Sequence, residues 1–335
     1  MHILVAGLLL SLTLALADKQ CPIVYQSEDR RPNKSNLRIM QYNVEWLFLD
    51  YYKAANCPGE GCPWKNQAMS IEHMEHVSNV INKFEPDIIN ICEIEGCDEL
   101  DALITNTSKE YKPYLIQGSD TSTGQNVGIL TKIDPIANIT RTDNTYDYPI
   151  KESNCGSDDE GHTGVSKHLM TLFNWNDVKV AYFSLHLLAY PTEPDRCAKR
   201  EAQAKVIEEE IKKRVNEGYE IIVIGDFNDY DEKNTDVNDS EPTSQVLDII
   251  KGEQNEIYDL TNLASKIPKE ERYTNWWDKN NDCYSTPDEL VMIDYILLTD
   301  GLLNMVKNVS IYHGYYEKCD TLESDHYPVI VDFNL

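Results

Sequence analysis

Short apolar segments that end in carboxylates, amides or histidines recur along this chain, and this pattern restricts its fold more than any other feature. Arg38–Leu47 (RIMQYNVEWL) alternates as a strand does and carries Asn43 and Glu45 toward its end. Asp87–Cys92 (DIINIC) reads as a short buried strand followed by Glu93. Val127–Leu130, Leu169–Phe173 and Val178–Leu188 read as further strands, the last enclosing His186. Glu220–Ile224 runs into Asp226 and Asn228, Val291–Leu298 holds Asp294, and Asp325-His326 precede a final strand over Pro328–Phe333. Two stretches have helical spacing instead. Met69–Phe84 places Ile71, Met74, Val77, Ile81 and Phe84 on one face and stops at Glu85-Pro86; Arg196–Asn216 stops near Gly218. Strands and helices interleave without a composition break, linker or internal repeat, so one α/β domain is expected. The polar stretches 139–165 and 229–243 read as solvated loops.

In α/β sheets, ligands gather at the carboxyl ends of strands and the loops that leave them. Any one of these polar residues alone is more often a cap or turn residue than a catalyst. Together they form an oxygen-rich set with few cations, suited to Mg²⁺, Mn²⁺ or Ca²⁺ rather than zinc.

Charge bears on what such a site could hold. The 335 residues include 57 acidic and 30 basic side chains, a formal net charge of −27. That balance argues against gripping nucleic acid by a basic surface alone, which needs clustered Lys and Arg to displace counterions. It does not exclude an enzyme that meets phosphate through divalent cations, which reverse the local sign.

Ile3–Ala17 is almost unbroken apolar sequence, too short to span a bilayer comfortably, and Ala15-Leu16-Ala17 has the small-x-small form of a signal-peptidase site. Cleavage after Ala17 is expected, with an N-terminal extension over 18–36, a domain over 37–335, and a soluble product. Its location would be extracellular, or the lumen of the secretory or lysosomal pathway. Export favours disulfides. The nine cysteines leave at least one without an intrachain partner. Cys57 with Cys62, Cys155 with Cys197, and Cys283 with Cys319 are the pairs expected from loop placement. No CxxC or Cys/His spacing suggests zinc. Five sequons, at Asn33, Asn106, Asn138, Asn238 and Asn308, are compatible with glycosylation.

The motif series YNVEWL, PDIINICEIE, NVGILTK, FSLHLL, VIGDFND, MIDYILLT and SDHYPVIVDF resembles, in order, that of the endonuclease/exonuclease/phosphatase superfamily, which includes deoxyribonuclease I. The opening motif is most similar to secreted nuclease-like members. The resemblance runs from about Leu37 to the C-terminus and implies a four-layer α/β/β/α sandwich with the site at one edge of two packed sheets. It implies that Asn43, Glu93 and Asp325 form the metal site. Asp226 and Asn228 would orient the attacking water and the scissile phosphate. His326 would be the catalytic histidine with Asp294 as its carboxylate partner, and His186 would contact phosphate or protonate the leaving group. Cys92 departs from the family pattern, which usually has Gln before the glutamate, and no carboxylate partner for His186 is evident.

The function implied is divalent-metal-dependent phosphodiester hydrolysis, with Mg²⁺ expected and Mn²⁺ or Ca²⁺ as alternatives. Nucleic acid is the expected substrate, DNA or RNA. Lys167, Arg196 and Arg200 are candidate phosphate contacts, and Trp276, with Tyr273 and Trp277, could stack on bases. A phospholipid head-group phosphodiesterase of sphingomyelinase type, or a phosphatase, is the alternative; a non-catalytic binding protein on the same fold is a third reading. No apolar hairpin for bilayer insertion and no basic amphipathic segment are visible, and no protein partner is expected.

Overall fold

The computed structural model describes residues 21, 24, 26–49, 62–315 and 323–335. The expected signal segment, Cys57 and Cys319 lie outside them. The first half of the chain forms β1 (Asn36–Leu47), α1 (Gln67–Phe84), β2 (Ile88–Ile94), α2 (Cys97–Asn106), β3 (Lys112–Leu115) and β4 (Asn126–Thr131). A small hairpin, β5 (Tyr146–Tyr148) and β6 (Gly161–Thr163), leads to β7 (Lys167–Trp175), β8 (Val178–His186), α3 (Pro194–Asn216) and β9 (Glu220–Asp226). Then come α4 (Val246–Lys251), β10 (Thr261–Asn262), β11 (Asn275–Trp276), β12 (Leu290–Val291), β13 (Asp294–Leu298), α5 (Asp300–Leu303), β14 (Val306–Ile311) and β15 (Val329–Asn334).

Two sheets carry the molecule, one ordered β14-β15-β1-β2-β4-β3 and the other β10-β13-β9-β8-β7. Strand alternation explains how they stack. Met40, Tyr42, Ile89 and Ile91 point outward to Met74, Val77, Ile81, Leu100 and Leu103 of α1 and α2. Ile39, Ile88, Val127 and Ile129 point inward and share a core with Phe173, Tyr182 and Ile224 of the second sheet. α3 covers the far face of that sheet through Ala202, Val206, Ile207 and Ile211. The result is the expected α/β/β/α sandwich.

Each sheet centres on one parallel pair joined by a helix, β1–α1–β2 and β8–α3–β9. Antiparallel strands flank both pairs: β15 and β4 in one sheet, β7 and β13 in the other. The two halves therefore repeat a plan that their sequences do not reveal. Geometry follows directly: the carboxyl ends of the parallel strands and the amino ends of their antiparallel neighbours meet along one edge.

The Cys155–Cys197 disulfide is present, and Cys21–Cys97 ties the N-terminal extension to α2. Cys62 and Cys283 are also disulfide-bonded. Cys92 is free and buried. One expectation is corrected. The acidic loop after β9 is not simply solvated surface, because Asp229, Asp231 and Asp236 are buried. Arg200 Nε donates to Asp229 at 2.9 Å and Lys251 Nζ to Asp231 at 2.9 Å, so the loop is pinned to α3 and α4 by buried charge pairs.

Candidate active site

One register row across the second sheet carries Lys167, His186, Asp226 and Asp294 on adjacent strands. Directly paired residues share a face, and this face meets Asn43, which pairs with Cys92 in the other sheet. The register shifts between Asn43 and Leu47 and between Cys92 and Ile94. Within these irregularities Glu45, Trp46 and Glu93 adopt φ of 50°, 54° and 66°. Bulges re-aim side chains at sheet ends, and here they bring Glu45 and Glu93 to the shared edge. The turn after β9 uses the same device: Asn228 has φ 49°, and a Cβ on Gly225 would lie 1.9 Å from the Leu185 carbonyl oxygen. Only glycine fits there.

Asn43 sits at the centre. Its Nδ2 donates to Glu93 Oε1 at 3.1 Å and to Asp226 Oδ2 at 3.0 Å, and lies 3.4 Å from His326 Nε2. His326 Nδ1 is 2.7 Å from Asp294 Oδ2, which leaves Nε2 facing the site, 3.9 Å from both Asp226 Oδ2 and Asp325 Oδ1. Ser324 fixes the turn, donating from Oγ to the Asn43 carbonyl and accepting from His326 N. Asp226 Oδ1 accepts from Asn228 N at 2.8 Å. The Asn228 side chain gives one amide proton to the Leu187 carbonyl and keeps a second. Glu93 Oε2 accepts from Gln125 Nε2 at 2.8 Å and from Trp46 N at 3.2 Å. Glu45 Oε2 accepts from Asp325 N at 3.0 Å.

Electrostatics follow from this crowding. Burial, together with Asp325 and Glu93, pushes the Glu45 carboxyl well above its usual range. Burial and Asp294 push Asp226 up, and burial with Glu93 and Asp294 pushes Asp325 up. Burial alone would lower His326, but Asp294, Asp325 and Asp226 outweigh it and raise it. Glu45, Glu93 and Asp325 are hard oxygen donors, and Asp325 and Glu93 both help to raise Glu45, a cost that a divalent cation would offset, so the donor types fit the metal expected for this fold. The groups here whose ligand atoms lie within 4.8 Å of one another are Glu93 with His186 and Asp226, and Asp226 with Asp294 and His326.

His186 is placed differently from a charged acid. Its Nε2 lies 3.7 Å from Asp226 and 3.8 Å from Glu93, while its buried Nδ1 has no hydrogen-bond partner among the described residues. Burial and the neighbouring Lys167 push its pKa well down. Lys167 Nζ is 3.5 Å from Gln125 Oε1 and 3.6 Å from Asp120 Oδ2 at the edge of the same cluster.

The outer candidates separate into open and sealed. Arg200 is fully buried, and its guanidinium is spent on Asp229 and the carbonyls of Leu188, Tyr190 and Pro191, so it holds a loop and is withdrawn as a phosphate contact. Trp276 is also withdrawn as a stacking surface: its ring is buried and its Nε1 donates to Glu289. Its neighbour Trp277 is exposed. Arg196 lies 3.1 Å from Glu193 and stacks 4.6 Å over Tyr190, on the loop leaving β8. Tyr273 is occupied by His313, stacked at 3.7 Å. Two contributors have no assigned role in the sequence: Glu45 stands at a strand end, whereas Gln125 carries no motif signal.

Comparison with known proteins agrees with this architecture. The model of the endonuclease/exonuclease/phosphatase family matches residues 40–326. An AP endonuclease from Archaeoglobus fulgidus has 13% identity and a TM-score of 0.57, covering 89% of this chain and 100% of that one. A humanized TDP2 of D. rerio has 15% identity and a TM-score of 0.54, covering 90% of this chain and 100% of that one. An endonuclease/exonuclease/phosphatase from Bacteroides vulgatus has 17% identity and a TM-score of 0.54, covering 90% and 99%. No curated protein matches. Members of this family are generally phosphoric ester hydrolases that depend on divalent metals. With the family model spanning nearly every element that builds the site, the chain belongs to the endonuclease/exonuclease/phosphatase family.

Proposed function

We propose that the chain is a secreted, Mg²⁺-dependent phosphodiesterase that hydrolyses nucleic acid. The observation that carries this reading is the Asp294–His326 pair, 2.7 Å apart, facing Asp226 across Asn43 beside the carboxylates of Glu93, Glu45 and Asp325. Glu93, Asp325 and Glu45 would hold the metal. Bound there, it supplies charge neutralisation at the phosphate and the leaving oxygen. The chain's own residues do the rest. Asp226 accepts the proton of the attacking water and is oriented by Asn43 and the Asn228 amide. His326 holds a proton at Nε2 that it can donate to a phosphoryl oxygen, and the spare amide proton of Asn228 can do likewise. His186, kept neutral, binds phosphate as an uncharged donor. Lys167 supplies the local cation that the chain's overall charge lacks.

Nucleic acid is favoured over lipid because Lys167 borders the site. Among the described residues, no helix is long and apolar enough to cross a membrane. Parallel hydrolysis of plasmid DNA, RNA and sphingomyelin, with Mg²⁺ and with chelator, tests the reading. Cleavage of DNA or RNA that stops with chelator is expected. Turnover of sphingomyelin alone would reassign the substrate, and metal-independent cleavage would remove the mechanism. Secretion is checked separately by the N-terminus of the exported protein, expected at Asp18.

A further inference from the structure

The space between two sheets should be apolar, yet Gln41, Asn90 and Tyr182 lie there fully buried. Strand alternation puts them there: Gln41 is two residues before Asn43 on the inner face of β1, Asn90 pairs with it on β2, and Tyr182 faces them from β8. Buried polar groups are costly unless satisfied, and these satisfy one another in a single direction. The Tyr182 hydroxyl lies 3.3 Å from Asn90 Oδ1 and donates to it. Asn90 Nδ2 donates to Gln41 Oε1 at 2.6 Å, and Gln41 Nε2 donates to Asp294 Oδ1 at 3.0 Å. The other Asp294 oxygen takes His326 Nδ1 at 2.7 Å. An amide can flip, exchanging donor and acceptor. Here the Asp294 carboxylate, which only accepts, sets the flip of Gln41, and Gln41 sets that of Asn90, so the row has one polarity from Tyr182 to Asp294. Thr274 Oγ1 accepts from Asp294 N and holds the backbone of the same residue. Cys92, where the family usually has glutamine, leaves room beside Gln41, whose amide lies 3.6 Å from the thiol.

We propose that Gln41 is a positioning residue: with Asn90 and Tyr182 behind it, it orients the Asp294 carboxylate so that this carboxylate takes the Nδ1 proton of His326 in a hydrogen bond and turns Nε2 to the substrate. The inference rests on the phosphodiesterase reading for its kinetic test but not for its spectroscopic one. Gln41→Met keeps the volume and removes both bonds. With Mg²⁺ and bis(4-nitrophenyl) phosphate, kcat should fall about tenfold or more at little change in KM, the range for outer residues that orient a functional group. In a His326→Ala background the same substitution should cost nothing further, because its effect passes through that histidine. Equal losses in both backgrounds, or no loss in a folded Gln41→Met protein, would overturn the proposal.

The second readout needs no activity. A His326 Nδ1 proton bonded to a carboxylate should give a far-downfield proton resonance, assigned by its loss in His326→Ala. Gln41→Met should shift or broaden that resonance, and an unchanged signal counts against the proposal. If Gln41→Met does not fold, Tyr182→Phe removes only the last hydroxyl of the row. It should move the resonance in the same direction with a smaller loss of kcat; no movement overturns the row. An inactive parent protein with a Gln41-sensitive resonance would instead refute the phosphodiesterase reading while sustaining the network.

Discussion

In the proposed mechanism Asp226 and His326 do opposite things within the same few ångströms, and their surroundings separate them. Asp226 accepts hydrogen bonds from Asn43 and Asn228 and is raised by burial and Asp294. His326 is raised by the carboxylates around it and held at Nδ1 by Asp294. Asp226→Asn and His326→Ala should each lower turnover by ~10²–10⁴-fold while circular dichroism stays unchanged. Near-normal rates from a folded variant would remove the assignment. Away from the site, His168 is buried, accepts from Thr142 N at 2.9 Å and lies against the Val165 carbonyl. Burial and Arg141 depress its pKa to about 4. The unfolded chain, with histidine near 6.5, then binds the extra proton first. The contribution is complete above pH 6.5 and is lost as pH falls toward 4, roughly 3 kcal/mol in all. Denaturation midpoints of His168→Asn should therefore vary less across that window than those of the parent chain; equal slopes would contradict it.

At the scale of elements, helix boundaries were the easiest features to read and bulges the hardest. α1 is announced by its apolar spacing and closed by Glu85 in the left-handed region, and Asn66 caps its start by accepting from Met69 N at 3.1 Å. Asn66→Ala should cost about 1 kcal/mol in urea denaturation without changing activity. The irregularities at Glu45 and Glu93 left no mark in the apolar pattern, since a positive φ at a glutamate follows from pairing between strands rather than from local preference. β3 and β14 are likewise unmarked by periodicity: they are short and take their order from the sheet they join. Arg200 and Trp276 show the converse error. Their residue types suit phosphate and bases, but buried partners, Asp229 and Glu289, claim both side chains. Gln41 carries no motif, but its strand position places it where its amide meets Asp294.

Over the whole molecule, the chain uses disulfides and charge in separate places. Cys155–Cys197 closes 42 residues between the small hairpin and the first turn of α3. Constraint of the unfolded chain by a loop of that length is worth roughly 4 kcal/mol. Replacing both cysteines by serine should lower stability by about 2–4 kcal/mol and leave kcat intact, because the two cysteines pack against Ala198 and Tyr148 rather than the site carboxylates; a lost kcat in a folded variant would contradict that separation. The net charge of −27 is spread between a few site carboxylates, buried pairs such as Asp231–Lys251, and the surface. Under the proposed function, recognition of a polyanion would depend on metal and local cations more than on the overall field.

Residue order alone determined the alternation of strands and helices, the polar ends of the strands and hence the family, because periodicity and short motifs are local properties. It also marked Asn43, Glu93, Asp226, Asn228, Asp294, Asp325 and His326 as the groups to watch. Only the tertiary structure decided which side chains reach the edge. Register between strands, bulges and the facing of two sheets set the distances among residues far apart in sequence. Those long-range pairings turned Arg200 and Trp276 inward, left His186 without a carboxylate at Nδ1, and put Gln41 behind the Asp294–His326 pair.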